Sequence, residues 1–225
     1  ELSKLGLKKL VSGYVLFDET ATMGWNYGVN PIDGSIRLKP VGTNYTKNKV
    51  MKRIAASWQK QEPLLVIELN AEETLEHQSF MADESINFPI SKEQLLAISP
   101  EKLVVHTFNF KQGYLLIVGG ELLSDVQQEM ITRFAKVFQQ TYTRFLDLQK
   151  AEKQAREAQI EGALERVRSR SLAMHNSEEL LDVIEVVSVQ LRLLDLKFDT
   201  VSFGKNDQEG DFKFWLTSSG QPKPV

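Results

Sequence analysis

The first 120 residues alternate between short apolar runs with strand periodicity and longer stretches with helical periodicity. Strands are predicted at 14–17, 24–27, 36–38, 64–69, 103–110 and 114–118. Helices are predicted at 46–60, 72–82 and 91–98. The clearest hairpin joins the last two strands through Lys111-Gln112-Gly113, a short loop with a glycine. Alternation in the first of these strands places Val104, His106, Phe108 and Phe110 on one face.

A different pattern begins at Ser124, which forms a capping-box signature with Gln127. From there to about Ala173 the chain has no proline and a single glycine, Gly162, and it is rich in strong helix formers. The pattern predicts a helix of about 50 residues, roughly 70 Å long. A helix of this length cannot bury its apolar side against one small domain.

Two apolar stripes with helical spacing run along this helix, separated by a polar stretch at 149–159. The first stripe consists of Met130, Phe134, Val137, Phe138, Thr141, Phe145 and Leu148. The second consists of Ile160, Leu164, Val167, Ser171 and Met174. We expect most of these residues to form a dimer interface, weakest across the polar stretch, where alanine supplies the apolar positions.

The end of the chain resembles its beginning. Residues 5–8 match 194–197, 14–17 match 200–203, and Trp25 matches Trp215, at offsets that agree within a few residues. A helix beginning near Asn176, a strand at 198–203 and a return strand at 212–216 are predicted there. We interpret this as a repeated unit whose second copy is incomplete, so we expect the native protein to continue beyond Val225. The alternative explanation is that two unrelated hairpins share the same general pattern of apolar residues, a turn and a tryptophan.

Composition narrows the class of protein. The chain of 225 residues is 42% hydrophobic and 25% charged, which is typical of a globular protein. Its net charge of −3 gives no electrostatic case for a nucleic-acid partner. Cysteine is absent, no apolar run reaches the roughly 20 residues of a membrane helix, and the first residues do not resemble a signal peptide. We expect a cytoplasmic location, and the missing initiator methionine suggests a chain cut from a longer one.

Candidate chemistry is sparse. His77 is expected to be solvated on a surface helix, His106 to lie in the core or a pocket wall, and His175 to sit at a helix end. No phosphate-loop, nucleophile-elbow or zinc-protease spacing occurs in the sequence. We therefore predict no catalytic site and no metal site in this chain, and we favour a binding or regulatory role.

A concentration of aromatic side chains is the remaining candidate for a ligand pocket between the sheet and the helices at 72–98. The candidate lining residues are Trp25, Tyr27, Trp58, Phe80, Phe88, His106 and Phe108. Ordinary core packing is the alternative for each of them.

The long helix also carries a family resemblance. The runs RFAKVFQQTYTRFLDLQKAE at 133–152 and ALERVRSRSLAM at 163–174 resemble the linker between tandem GAF-like domains in multidomain sensor proteins of Bacteroidetes, often sensor histidine kinases. The resemblance implies an antiparallel sheet with helices on both sides, a pocket for a small ligand or protein contact, parallel dimerisation, and an output domain outside this chain. Neither a bilin-attaching cysteine nor the cyclic-nucleotide N-K-F-D-E residues are present, so no cofactor is assigned.

The predicted organisation is an α+β GAF-like sensory domain at 1–121, a coiled-coil-like signalling helix at 122–175 and the start of a second GAF-like domain at 176–225. We expect a sensory region of a two-component signal-transduction protein. Binding of a ligand or partner would be relayed through the dimeric helix to a downstream domain. The alternative is a structural dimerisation or adaptor module that binds no ligand.

Overall fold

A computed structural model describes residues 11–176, 179–206, 212–218 and 221–224. The chain divides into two compact units, Glu1–Arg144 and Phe145–Val225. The first is an α+β unit with one antiparallel sheet, and the second combines helices with a smaller sheet. Within the described residues, no helix combines the length and apolar character that a membrane span requires.

The first unit is built on a six-stranded sheet. Its strands are β1 (Val11–Phe17), β2 (Met23–Gly28), β3 (Val41–Asn44), β4 (Leu65–Leu69), β5 (Leu103–Phe110) and β6 (Gly113–Gly119). They lie in the order β3-β2-β1-β6-β5-β4, and every neighbouring pair is antiparallel. The first and last strands of this sheet, β1 and β6, therefore pair with each other at its centre. The β1–β2 and β5–β6 hairpins lie on either side of this pairing, in one continuous sheet.

Four helices flank this sheet. They are α1 (Lys49–Gln59), α2 (Ala71–Glu84), α3 (Lys92–Ile98) and α4 (Asp125–Leu172). Asn48 caps α1, and capping boxes formed by Asn70 with Glu73 and by Ser91 with Gln94 begin α2 and α3. These local signals explain why the helices begin where they do, and the predicted α+β class with a sheet flanked by helices is confirmed.

Strand alternation divides the core into two clusters on opposite faces of the sheet. One cluster packs α1 against the sheet, and we call it the cavity-side cluster because a cavity, described below, lies on the same face. It comprises Val15, Tyr45, Val50, Met51, Ile54, Ile67, Leu69, Leu103, Val105, Tyr114 and Val118. An α4-side cluster packs the beginning of α4 against the other face and comprises Phe108, Phe110, Leu115, Ile117, Ile131 and Ala135. The same sheet therefore has one face toward α1 and the other toward α4.

The strand predicted at 36–38 is wrong. Ile36 makes only an isolated bridge to Val29, and Ile36 and Leu38 are exposed. The third strand is β3, which begins at the buried Val41 directly after Pro40. Proline has no backbone N–H to donate, so the ladder with β2 begins only beyond it.

Helix α4 is continuous over 48 residues, as the uninterrupted pattern of helix formers predicts. Its start is fixed by Ser124, whose backbone N–H donates to the Gln127 side chain at 2.9 Å. Residues 147–159 are exposed throughout, in agreement with the polar character of this stretch.

The second unit contains the end of α4, α5 (Leu180–Leu193) and strands β7 (Thr200–Asn206), β8 (Phe212–Ser218) and β9 (Gln221–Pro224). The three strands form an antiparallel sheet in sequence order. Helix α5 runs back along α4, where Arg166 donates to Gln190 at 3.0 Å and Ala163 is buried.

The backbone of the two proposed repeat copies can be compared at one hairpin. In the first unit Trp25 pairs with Leu16, and in the second Trp215 pairs with Phe203. The proposed match equates Phe203 with Phe17, so the two hairpins differ in register by one residue. Both segments are antiparallel hairpins. The matching residues 5–8 lie outside the described part of the chain, and the identity of the second unit as a GAF-like domain stays a prediction.

Candidate functional site

A cavity lies between the sheet and helices α1, α2 and α3. Its volume is about 80 Å³, which is several times the roughly 10–15 Å³ that one buried water needs. The sheet side is formed by Val11, Val15, Val41, Leu103, Val105, Tyr114, Leu116 and Val118. The helices add Met51, Ile54, His77, Gln78, Met81 and Leu95, and the connections add Val29, Pro31, Arg37, Phe88 and Pro89.

The walls are predominantly aliphatic, and a few polar groups interrupt them. Such a combination is typical of sites for small molecules, in which apolar walls supply affinity and a few polar groups fix orientation. The polar side chains among the lining residues are Asn26, Arg37, Thr43, Tyr45, His77, Gln78 and Tyr114.

Two tyrosines form a hydrogen-bonded pair in the wall. The hydroxyls of Tyr45 and Tyr114 contact each other directly, and both side chains are buried. Burial raises the pKa of both phenols, so both stay neutral at physiological pH. The pair joins the residue after β3 to β6 across the sheet and holds this wall of the cavity in place.

His77 contradicts the expectation of a solvated histidine. It is 6% exposed, it lines the cavity, and its Nδ1 atom has no hydrogen-bond partner among the described residues. Burial lowers its pKa to about 4, an effect that the nearby Glu76 carboxylate partly opposes. The signal that could have revealed this burial is the inward stripe of α2, in which Thr74, His77 and Gln78 are all buried.

The buried His77 predicts acid-sensitive folding. Its pKa is about 4 in the folded state, against the ordinary value of 6.5, so the unfolded chain binds the proton more tightly. Stability is therefore unaffected above pH 6.5 and falls as the pH drops from 6.5 toward 4, by up to about 3 kcal/mol from this residue. We expect His77→Gln to flatten this part of the dependence of the unfolding free energy on pH.

Urea unfolding of the first unit at several pH values between 7 and 4 measures this effect. His175→Gln is the matched control, because His175 is exposed. An unchanged slope in His77→Gln would contradict the assignment. Part of the slope will persist in the variant, because burial also lowers the pKa of His106.

Of the seven predicted pocket residues, Phe88 lines the cavity. Phe80 packs at the edge of the cavity-side cluster, and Trp58 donates from Nε1 to the carbonyl oxygen of Phe110 at 2.9 Å. Both lie on the face of the sheet that α1 covers, but neither lines the cavity.

The other four candidates, Trp25, Tyr27, His106 and Phe108, lie on the opposite face of the sheet. Trp25 and Tyr27 pair with Leu16 and Tyr14, which pack against the α4-side cluster, and directly paired residues point to the same face. His106 and Phe108 pair with Ile117 and Leu115 of that cluster. The alternation was predicted, but the sequence did not indicate which face bears the cavity.

The α4 side of the sheet makes specific contacts. His106 accepts a hydrogen bond at Nε2 from the backbone N–H of Leu123, two residues before α4, at 3.2 Å. The Tyr14 ring stacks on the Phe138 ring with centroids 3.6 Å apart. Ile131 and Ala135 of α4 are buried, and the sequence analysis missed both because it assigned the apolar side of this helix to a dimer.

Phe138 thus packs on the sheet of its own chain, whereas most other predicted interface residues are accessible. Phe134, Val137, Phe145, Leu148 and Leu164 are exposed by between 42% and 60%, and Thr141 is exposed as well. Ile160 and Val167 are half-buried. These residues form a partly exposed apolar stripe along α4.

Neither a metal-ligand cluster nor a known relative adds to this description. No group of three or more histidine, aspartate or glutamate residues that could hold a metal ion occurs in the described ranges. The sequence matches no protein-family model and no curated protein.

Proposed function

We propose that this chain is a sensory region of a signal-transduction protein, in which occupancy of the cavity is relayed to α4. The observation that carries the proposal is that the sheet lies between the cavity and the beginning of α4. One face of this sheet forms a wall of the cavity, and the other face packs against the beginning of a 48-residue helix.

The coupling runs through neighbouring residues of the central strands. On β5, Val105 faces the cavity, while the next residue, His106, bonds to the segment that leads into α4. On β6, Leu116 faces the cavity and Ile117 belongs to the α4-side cluster. A ligand that displaces β5 or β6 therefore changes the packing under α4. Relay requires two discrete arrangements of that packing.

The resemblance to GAF-like sensor regions is supported by the same features. An antiparallel sheet with helices on both faces and a cavity on one face is the architecture that the resemblance implies. We propose on this basis that the protein belongs to the tandem GAF-like sensors and that its output domain, of the histidine kinase type, lies outside this chain.

We further propose that α4 pairs in parallel with a second copy of the chain. The residues of the exposed stripe are spaced by three or four positions, as on the contact face of paired helices. They are Phe134, Val137, Thr141, Phe145 and Leu148. The same helix contacts the sheet through Ile131 and Ala135. In this proposal a change in the packing of these two residues is passed along the helix to the paired stripe.

Cysteine cross-linking tests the paired helix, and the cysteine-free chain makes it simple. We expect Phe145→Cys and Leu164→Cys each to form a disulfide-linked dimer under mild oxidation, because equivalent residues of a parallel pair approach within the reach of a disulfide. Non-reducing gel electrophoresis measures the yield.

Lys150→Cys is the matched control for Phe145→Cys, because Lys150 is exposed about half a turn away from the first stripe. We expect its yield to be several-fold lower than that of Phe145→Cys. The absence of dimeric product at both Phe145 and Leu164, or equal yields at Phe145 and Lys150, would overturn the paired helix.

The unfilled space in the cavity favours this function over the adaptor module. A purely structural module would fill its core with its own side chains, as protein interiors generally do. The Nδ1 atom of His77 has no hydrogen-bond partner among the described residues. A molecule bound in the cavity of about 80 Å³ would fill the space and supply that partner.

A further inference from the structure

Arg37 is an unusual component of an otherwise apolar cavity. Its guanidinium is half-buried and donates from Nη2 to the side-chain oxygen of Asn26, and to its backbone oxygen at 3.3 Å. Gly28 of β2 lies close to the guanidinium, since a Cβ atom at that position would lie 3.0 Å from Nη2. The guanidinium therefore packs against β2, and Arg37 itself belongs to the connection between β2 and β3.

The charge of Arg37 is not neutralised by a neighbouring acid. No ion pair between Arg37 and a carboxylate occurs among the described residues. None of the described residues that line the cavity is an aspartate or a glutamate. The Nε atom of Arg37 is buried without a hydrogen-bond partner in the described structure. A buried donor on an unpaired cation costs stability unless a ligand satisfies it.

A second polar group belongs to the same cavity. His77 is almost fully buried, and its Nδ1 atom lacks a partner among the described residues. Gln78 beside it is also buried and lines the cavity. The remaining walls are aliphatic, so a molecule that satisfied these groups would need an anionic end and an apolar body.

We propose that the cavity binds a small organic monocarboxylate, whose carboxylate pairs with Arg37 and whose compact apolar body lies among Val15, Ile54 and Leu116. The inference rests on the proposed sensory function and names the class of its ligand. Guanidinium is well suited to this role, because it keeps its charge and carries several donors. Asn26 occupies Nη2, whereas Nε has no partner among the described residues and is left for a carboxylate oxygen.

The test compares acids with their uncharged counterparts on the full 225-residue chain. Butyrate, hexanoate and benzoate are titrated by calorimetry against butyramide, hexanamide and benzamide of the same shape. We expect at least one acid to bind saturably and at least tenfold more tightly than its amide. The same acid should raise the melting temperature, because it binds the folded state.

Substitution of Arg37 assigns the contact. Arg37→Gln is expected to weaken acid binding at least tenfold, and Arg37→Lys is expected to retain an intermediate affinity. Arg53→Gln is the matched control, because Arg53 is exposed on α1 and does not line the cavity. Circular dichroism of each variant shows whether the fold is intact. The lysine variant keeps the test valid if the glutamine variant unfolds.

The inference is overturned if no acid binds at concentrations up to about 10 mM, if Arg37→Gln binds the acid as tightly as the unchanged chain, or if the amides bind equally well. Equal binding of the amides would leave the sensory function standing with a neutral ligand. The sensory function fails separately if acid binding is normal but the cross-links at Phe145 and Leu164 are absent.

Discussion

The Gly113→Ala variant is expected to lose at least about 3 kcal/mol of folding free energy in the first unit. Gly113 pairs with Leu16 at the centre of the sheet, where β6 meets β1. A Cβ atom at this position would lie 1.8 Å from the carbonyl oxygen of Val15 and 2.9 Å from its carbonyl carbon. Both are backbone atoms in the central ladder, so relief requires the separation of two strands. The loss is a large share of the roughly 5–15 kcal/mol that stabilises a domain.

Tryptophan fluorescence during urea unfolding measures the effect, since Trp25 and Trp58 both lie in the first unit. Gly162→Ala is the control for the change from glycine to alanine. Gly162 lies toward the end of α4, in the second unit, and the nearest atom to its added Cβ is Arg166 Nη1 at 3.9 Å. Alanine there is expected to stabilise the helix by about 1 kcal/mol and to leave the unfolding of the first unit unchanged. A midpoint for Gly113→Ala equal to that of the unchanged chain would show that β1 and β6 are not paired in this register.

Truncation of Phe108 to alanine is expected to cost about 3–5 kcal/mol. The Phe108 ring is 0% exposed and belongs to the cluster that holds the beginning of α4 on the sheet. Removal of the ring leaves a void in the cluster to which Ile131 and Ala135 of α4 belong. We therefore expect the variant to unfold earlier and also to expose the first turns of α4 to hydrogen exchange.

Phe145→Ala provides the comparison, because the same change is made at a ring that is 49% exposed. A change of less than about 0.5 kcal/mol is expected there. If both variants have similar small effects, Phe108 is not core and the α4-side cluster does not hold the helix. The comparison also separates the two roles assigned to α4, since Phe145 is expected to affect pairing and Phe108 to affect folding.

Local patterns accounted for much of the architecture. The capping signature at Ser124 and the uninterrupted helix formers after it predicted α4, and the short glycine loop before Tyr114 predicted the β5–β6 hairpin. These features succeed because they depend on residues within a few positions of one another. The prediction of a strand at 36–38 was wrong because Ile36 and Leu38 are exposed to solvent. They belong to the connection that ends at Pro40, directly before β3.

The candidate site was less predictable. Phe88 is the one aromatic candidate that lines the cavity, while Arg37 and His77 were not among the candidates. Arg37 reaches the cavity only because the connection after β2 folds back, with the Arg37 N–H bonded to the Gly28 carbonyl at 3.1 Å. No periodicity in the sequence carries that information.

The sequence by itself determined the elements, the shared face of alternate residues along β5, and the uninterrupted helix. Each follows from interactions within one turn, one hairpin or one strand. Only the tertiary structure decided which face of the sheet carries the cavity and which carries α4. Strands β5 and β6 are buried on both faces, and the choice between these faces is made by packing residues far apart in the chain. Leu116 and Ile117, adjacent in sequence, therefore have different neighbours: one faces a cavity, and the other supports a helix.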